Sequence, residues 1–223
     1  MSSEEPYAFI QARMTSSRYP GKSLAPLAGT PVIERVIERV NDALPESKVV
    51  VLTTQEHASD PLVSHLENEG VAVYRGHPTN VFHRFRSALE EYPCSSFFRV
   101  CGDSPFLEST LFQKAKENLL TDKYDIVTNV CPRDFPVGKS VELLDANTFK
   151  NVKESELSEG QKEHVTKYFY DNQENYSIMD IKYSGEQKSE ERFAVDTLND
   201  LKRLEKRLES GTLNEQKYEV KVT

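Results

Sequence analysis

Three basic side chains, Arg13, Arg18 and Lys22, lie close together in the stretch 9–24, which reads F-I-Q-A-R-M-T-S-S-R-Y-P-G-K-S-L. No acidic residue occurs from position 6 to position 33, although the chain has 36 Asp and Glu against 28 Lys and Arg. The loop also offers hydroxyl groups and, around the turn-forming Pro20 and Gly21, backbone N–H groups. Such donors bind phosphate oxygens, Arg bidentately and Lys as a point charge. A polyphosphate therefore suits this loop; on composition alone, an ordinary solvated loop with scattered charges stays an open alternative.

Two aspartates follow short apolar runs elsewhere in the chain. Asp103 lies in C-G-D-S-P at 101–105, and Asp196 lies in R-F-A-V-D-T at 192–197. Each has a structural alternative: Asp103 could bond its own turn or cap a helix near Ser109, and Asp196 could cap the helix that follows it. If both apolar runs are strands of one doubly wound sheet, the two carboxylates can come together at the strand ends.

The elements that must position these groups alternate in the first half of the chain. Apolar runs predict strands, and apolar residues at helical spacing predict helices. We expect strands at 7–10, 49–54, 71–74 and 97–100. We expect a first helix that Thr30 caps, with Pro31 at its first position, and further helices at 60–70 and 81–91. This order predicts right-handed crossovers and a three-layer α/β fold, with a mostly parallel sheet flanked by helices. Ligands of such sheets bind at the carboxyl ends of the strands, where the basic loop begins.

The second half departs from simple alternation. We expect strands at 124–130, 141–144 and 176–183, a helix at 162–172, a short strand before Asp196 and a helix at 198–209. The tail from Gly211 ends in the alternating K-Y-E-V-K-V, and no element is assigned to it. No repeat or clear linker divides the chain, so residues 1–223 are taken as a single domain.

Composition argues against several classes of function. A net charge of −8 and a pI of about 5.3 disfavour bulk electrostatic binding to nucleic acid or to an anionic membrane surface. The longest aliphatic run, 49–52, is far too short to span a membrane, and the acidic start M-S-S-E-E-P lacks a signal-peptide apolar region. Cys94, Cys101 and Cys131 show no disulfide or zinc-site spacing, so we expect small buried thiols in a reducing, cytoplasmic compartment.

The order of residues in the basic loop resembles a known family. Q-A-R-M-T-S-S-R-Y-P-G-K is similar to Q-A-R-M-G-S-T-R-L-P-G-K, the opening signature of the sugar-acid cytidylyltransferases, in particular the spore coat polysaccharide biosynthesis branch. Acylneuraminate and 3-deoxy-manno-octulosonate cytidylyltransferases belong to the same group. The glycine patterns of a Walker A loop and of a dinucleotide fingerprint are missing. Further along, G-D-S-P-F resembles the family's G-D-x-P-L, and V-D-T resembles its V-D-T-P-x-D with Leu198 in place of Pro.

The resemblance implies a nucleotide-diphospho-sugar transferase-like, Rossmann-like fold. It implies transfer of a cytidylyl group from CTP to a sugar-acid hydroxyl, forming a CMP-sugar and pyrophosphate for surface polysaccharide biosynthesis. Lys22, Arg13 and Asp103 would act in catalysis, and Asp103 and Asp196 would bind Mg²⁺, whose remaining ligands come from substrate phosphates. The nucleotide-binding residues that it implies are Gln11, Ala12, Arg13, Ser16, Ser17, Arg18, Lys22 and Arg84.

Residues 132–190 resemble the family's subregion for acceptor binding and dimer contacts, so we expect a homodimer. Looser matches, P-R-D-F-P, V-E and E-H-V-T, make Arg133, Glu142 and His164 the candidates for contacting the acceptor. An acidic acceptor needs a cation, which Arg133 or Lys139 could supply. For His164, a helix histidine satisfied by a neighbour is an equally open reading.

Three departures from the family pattern leave the acceptor undetermined. Ser140 and Asn80 stand where Asp is usual, and Lys167 stands where Pro is common. Nothing in the residues themselves separates cytosine from another base. A nucleotidyltransferase using a different NTP, a glycosyltransferase using a nucleotide sugar and a non-enzymatic nucleotide or sugar sensor are therefore the alternatives, since fold alone does not decide function.

Overall fold

An eight-stranded sheet is the middle layer of the computed structural model, which describes residues 5–119, 124–183, 191–212 and 220–222. Its strands, in spatial order, are β10 (Val220–Val222), β9 (Ile178–Tyr183), β7 (Ile126–Thr128), β8 (Glu142–Asp145), β6 (Ser96–Cys101), β1 (Tyr7–Gln11), β4 (Val49–Thr54) and β5 (Ala72–Gly76). β8 pairs antiparallel with β6 and β7, and β10 pairs antiparallel with β9, whereas the other pairings are parallel. The sheet is therefore mostly parallel, as the sequence predicted.

Helices cover both faces of this sheet. They are α1 (Val32–Ala43), α2 (Asp60–Asn68), α3 (Val81–Glu91), α4 (Ser109–Leu119), α5 (Ala146–Asn151), α6 (Glu159–Glu163), α7 (Lys167–Asp171) and α8 (Leu198–Glu209). Apolar residues of α1, α2 and α4 pack in one core, and phenylalanines of α3, α5 and α7 pack in a second core on the other face. A third cluster joins α8 to the two-stranded ribbon β2 (Pro26–Leu27) and β3 (Thr30–Pro31). No helix in the described ranges is long and apolar enough to cross a membrane.

Elements with strong periodicity have the bounds that the sequence predicted. This holds for β4, α3 and α8. The strand expected at 124–130 is shorter, and the strand expected at 71–74 is displaced toward Gly76. The polar tail, to which the sequence analysis assigned no element, contributes β10 as an edge strand.

Four local predictions are wrong. Thr30 does not cap α1, because Thr30 and Pro31 pair with β2 and the helix begins at Val32. The helix expected at 162–172 is two short helices, because the intervening Thr166 turns inward and its hydroxyl donates to Glu142. The segment before Asp196 is not a strand; in the described residues it has a single bridge, from Val137 to Arg192. The three cysteines are partly exposed rather than fully buried.

Asp180 on β9 is partly exposed, but its two carboxylate oxygens are buried, and we expect it to lower stability at neutral pH. Neither of its oxygens has a hydrogen-bond partner in the described residues. Burial, and then the nearby Asp134, raise the pKa of Asp180 to about 6, against the small opposing effect of Lys182. Because the folded-state pKa exceeds the unfolded value of 3.8, this group stabilises the fold below about pH 4, and the contribution is lost as the pH rises through about 6.

We therefore expect Asp180→Asn to stabilise the protein at pH 7 by about 1 kcal/mol, a figure reduced for partial solvent exposure. The gain should disappear near pH 4, where the wild-type carboxyl is protonated. Urea unfolding at the two pH values measures both effects, with the exposed Asp42→Asn as the control. An equal gain at both pH values, or none at pH 7, would show that Asp180 is not the destabilising group.

Candidate active site

A cleft of about 310 Å³ opens at the carboxyl ends of β1 and β6. It brings together all of the nucleotide-binding residues that the sequence resemblance implied, together with both aspartates. Its wall is formed by Gln11, Ala12, Arg13, Ser16, Ser17, Arg18, Lys22, Ser23, Val81, Arg84, Gly102, Asp103, Glu163, His164 and Asp196. Residues separated by more than 180 positions thus share one site, because the segment before Asp196 is hydrogen-bonded through the Val195 N–H to the carbonyl of Asp103, just beyond β6.

The basic loop is folded back on itself by its own backbone. Gly21 has a φ of +76°, a left-handed conformation that glycine adopts without strain, and its N–H donates to the carbonyl of Met14 at 2.8 Å. The Ser23 hydroxyl donates to the carbonyl of Arg13 at 3.3 Å. A short 3-10 helix, Lys22–Leu24, follows and directs Lys22 toward the neighbouring strand end.

Lys22 is the point where three chain segments meet. Its Nζ lies 2.6 Å from Oδ2 of Asp103, 3.3 Å from Oδ1 of Asp196 and 2.9 Å from the carbonyl oxygen of Val195. The Val195 N–H donates to the carbonyl of Asp103 at 2.8 Å, which fixes the two aspartate segments to each other. The Lys22 side chain is only 13% exposed, so this cation is held between two carboxylates with little solvent screening.

Asp196 contacts two further cations and does not cap α8. Arg18 donates to its Oδ1 at 2.9 Å and Arg192 to its Oδ2 at 3.3 Å. The cap is Thr197, whose side chain and backbone exchange hydrogen bonds with Asp200. The capping alternative for Asp196 is therefore excluded, and Asp103 does more than bond its own turn, where the Ser104 hydroxyl donates to it at 3.3 Å.

Asp103 and Asp196 form a donor set that suits a hard divalent cation. Their carboxylates converge on the same ammonium group, which shows that both can lie beside one positive charge. Within the described ranges, no cluster of three or more His, Cys, Asp or Glu could hold a metal ion. Two carboxylates with the other positions left to phosphates and water are what Mg²⁺ uses in nucleotide sites.

Arg84 and Arg13 give the cleft a second cationic side. Arg84 is 2% exposed, and it donates to the carbonyl oxygens of His77 and Pro78 at 2.6 to 3.0 Å. Burial and then the neighbouring Arg13 lower the pKa of Arg84 to about 10, so it stays protonated at neutral pH. In the described part of the chain, no carboxylate pairs with either guanidinium. Two adjacent cations that no carboxylate pairs with directly favour an anionic ligand.

The three acceptor candidates occupy different places. His164 lines the cleft, beside Glu163, which the sequence analysis missed. Arg133 lies outside the cleft wall, and its Nη1 donates to the Ser140 hydroxyl at 2.9 Å. Glu142 is 3% exposed and lies behind the wall, paired with Arg99 at 2.7 Å. A direct contact between Glu142 and the acceptor is therefore not what this structure shows, because other side chains already occupy its carboxylate.

A second cavity of about 420 Å³ adjoins the first and shares Arg13 and Glu163 with it. Its wall includes Asn80, one of the departures from the family pattern. Asn80 caps α3 by accepting from the His83 N–H at 2.9 Å, and its amide donates to Glu154 at 2.7 Å. An ionised Asp at this position could cap the helix but could not donate to Glu154, so the substitution has a local physical reason.

Gly102 holds the two site-bearing strands at their observed separation. A Cβ at this position would lie 2.8 Å from the carbonyl oxygen of Gln11 and 2.9 Å from the Cβ of Ala12. We expect Gly102→Ala to destabilise the protein by about 1–3 kcal/mol, since backbone must move to relieve the overlap. Urea unfolding tests this against Gly160→Ala, whose added Cβ meets no atom within 4 Å. If both variants unfold alike, Gly102 is not the spacer that we describe.

The chain matches the family model for cytidylyltransferases from residue 7 to residue 220. It belongs to the cytidylyltransferase family. One relative of this cytidylyltransferase-family chain is the spore coat polysaccharide biosynthesis protein SpsF of Bacillus subtilis (strain 168). The two sequences are 30% identical over 76% of this chain and 71% of that protein.

Solved structures share the fold of this chain. A cytidylyltransferase from Leptospira borgpetersenii serovar Hardjo-bovis superposes with a TM-score of 0.81 at 25% identity, covering 96% of this chain and 99% of the other. The CMP:2-keto-3-deoxy-manno-octonic acid synthetase solved in complex with CTP has a TM-score of 0.70 at 15% identity, over 93% and 100% of the two chains. The second likeness is one of fold alone.

Two residues that support this cytidylyltransferase-family site were not predicted, although each had a signal in the sequence. Arg192 was part of the motif R-F-A-V-D-T but was not singled out, although its charge four residues before Asp196 could have indicated the pair. Arg99 lay inside an expected buried strand, where a charged residue is unusual unless it is paired. That exception was visible in the sequence and pointed to a buried partner.

Proposed function

We propose that this chain transfers a cytidylyl group from CTP to a hydroxyl of a sugar acid, releasing pyrophosphate. One observation carries the proposal: the ammonium of Lys22 lies between Asp103 and Asp196 in the same cleft as the basic loop. A loop for a triphosphate and a carboxylate pair for its metal ion are the two parts that nucleotidyl transfer requires.

The substrates are proposed from the family and from its relatives. Membership of the cytidylyltransferase family supports CTP as the donor. The name of the Bacillus relative, and the sugar acid named for the CTP-bound neighbour, support an acidic 2-keto sugar destined for surface polysaccharide as the acceptor. Formation of a homodimer through residues 132–190 is part of the same proposal and is open to sedimentation analysis.

The protein's task is to position the groups and to stabilise charge. Arg13, Ser16 and Arg18 bind the triphosphate, and Lys22 meets the charge that develops on the oxygen between the α- and β-phosphorus atoms. The acceptor oxygen attacks the α-phosphorus as the bond to that bridging oxygen breaks, with the three atoms roughly in line. The electron pair of the broken P–O bond leaves with pyrophosphate, and the proton of the acceptor hydroxyl passes to water.

Mg²⁺ is the cofactor that we propose for this site. Asp103 and Asp196 would hold it, and it would polarise the α-phosphate and neutralise charge on the leaving group. The ammonium of Lys22 lies beside the same two carboxylates and keeps them close together.

The proposal is tested by pyrophosphate release. Each of four NTPs is supplied with Mg²⁺ against a panel of 2-keto sugar acids and neutral sugars. Release with CTP and an acidic sugar, but not with CTP alone or without metal, is the expected result. Release with another NTP would show that the donor nucleotide is not CTP. Formation of a nucleoside diphosphate from a nucleotide sugar would show that the reaction is glycosyl transfer.

A further inference from the structure

Gln11 reaches both the cleft and the neighbouring strand. Gln11 is the last residue of β1. Arg99 lies on β6 and is paired in register with Phe9 of β1. Because side chains two positions apart on a strand share a face, Gln11 and Arg99 lie on the same face of the sheet. Arg99 donates through Nε and Nη2 to Oε1 of Gln11, at 3.3 and 3.2 Å.

This contact fixes the polarity of the Gln11 amide. A guanidinium has donors only, so the amide must turn its oxygen toward Arg99. The NH₂ group then faces away from Arg99, and within the described part of the chain nothing accepts a hydrogen bond from it. Gln11 therefore offers the cleft two N–H donors and no acceptor, beside Arg13, whose guanidinium pairs with no carboxylate among the described residues.

Glu142 holds Arg99 in place. The pair is 2.7 Å apart, with the side chains 14% and 3% exposed. The other oxygen of Glu142 accepts from the hydroxyls of Thr166 and Tyr170, each at 2.7 Å. Burial alone would raise the pKa of Glu142, but Arg99 and the two hydroxyls outweigh it and lower that pKa, so the carboxylate stays ionised.

The same carboxylate also anchors another part of the cleft wall. Thr166 lies between α6 and α7, two residues after His164. Its hydrogen bond to Glu142 draws this connection inward and leaves Glu163 and His164 in the wall of the cleft. One buried group behind the site thus positions the Gln11 amide and the segment that carries His164.

We propose that Gln11 donates through its NH₂ group to an anionic oxygen of a bound substrate, and that Arg99 and Glu142 are positioning residues that set this polarity. The oxygen belongs to a phosphate of the nucleotide or to the carboxylate of the acceptor. The kinetic part of the test rests on the proposed function, whereas the orientation of the amide does not.

The kinetic test compares Gln11→Glu with wild type. This change replaces the NH₂ group by an oxygen at nearly constant shape, so the wall becomes repulsive to an anion. We expect the KM for either CTP or the 2-keto sugar acid to rise about tenfold or more, while the other KM stays within about threefold. The substrate whose KM rises contains the oxygen. Gln113→Glu, on the exposed side of α4, is the matched control and should keep both wild-type values. If neither KM changes in Gln11→Glu, or if the control changes equally, the donor role is wrong.

The side-chain amide NMR spectrum gives a test that does not require turnover. The Gln11 NH₂ signal, identified by its loss in Gln11→Glu, should shift when CTP or a 2-keto sugar acid is added to the wild type. The signal should also shift in Glu142→Gln, because this change removes the ion pair that holds Arg99. It should shift to a smaller extent in Tyr170→Phe, which keeps the buried ion pair and so is expected to fold. No shift with either ligand would overturn the donor role, and no shift in the folded variants would overturn the positioning role. If wild type binds a ligand but releases no pyrophosphate, the proposed function fails while these two results still stand.

Discussion

Replacing Lys22 with methionine is expected to lower kcat for pyrophosphate release by about 10²–10³-fold, which corresponds to roughly 3–4 kcal/mol of barrier. Its ammonium is the group that links Asp103 to Asp196, and it lies at the end of the loop proposed to bind the triphosphate. Methionine keeps much of the side-chain volume but removes the charge. The loss should therefore appear mainly in kcat, because the charge that Lys22 meets develops in the transition state.

Folding must be measured in the same variant, since Lys22→Met leaves two carboxylates close together. Asp196 retains Arg18 and Arg192, so we expect the fold to persist. Lys202→Met, on an exposed position of α8, is the matched control and should keep the wild-type rate. A folded Lys22→Met protein with wild-type kcat would remove Lys22 from the mechanism.

Replacing Asp103 with asparagine is expected to have the second large effect, on the metal dependence. Asparagine keeps the shape and one oxygen of the side chain but loses the negative charge that a hard cation requires. We expect the Mg²⁺ concentration for half-maximal rate to rise about tenfold or more and kcat to fall about 10²-fold. A titration of rate against Mg²⁺ measures both values.

The exposed Asp42→Asn on α1 makes the same chemical change outside the cleft and should leave the Mg²⁺ titration unaltered. If Asp103→Asn shows wild-type activity at the same Mg²⁺ concentration, Asp103 is not a metal ligand. Asp196→Asn then becomes the decisive variant, although its interpretation is less direct because Arg18 and Arg192 also bind that carboxylate.

The sequence predicted the parts of this molecule that depend on short-range pattern. The apolar run of β4 and the helical periodicity of α3 and α8 determine those elements locally, so their bounds agree with the structure. The strand-end positions of the basic loop and of Asp103 followed from the same alternation, since neighbouring parallel strands end at the same edge.

What the sequence could not provide depends on contacts between distant residues. The break between α6 and α7 exists because the Thr166 hydroxyl donates to Glu142, 24 positions away. The helical pattern of the sequence around Thr166 does not reveal this distant contact. The family resemblance predicted that Glu142 contacts the acceptor. In the structure, its ion pair with Arg99, 43 positions away, holds Glu142 in the interior. Charge pairing across the sheet therefore decides which polar residues face the cleft and which support it from behind.

The most direct test of cytidylyl transfer is to follow the α-phosphorus of CTP. CTP labelled with ³²P at the α position, or in parallel at the γ position, is incubated with the protein, Mg²⁺ and the acceptor that supports pyrophosphate release. We predict that the α label appears in a phosphodiester that contains the sugar acid, and that the γ label appears in pyrophosphate. Recovery of the α label in free CMP, in CDP or in unreacted CTP, with no labelled sugar, would contradict the proposed transfer.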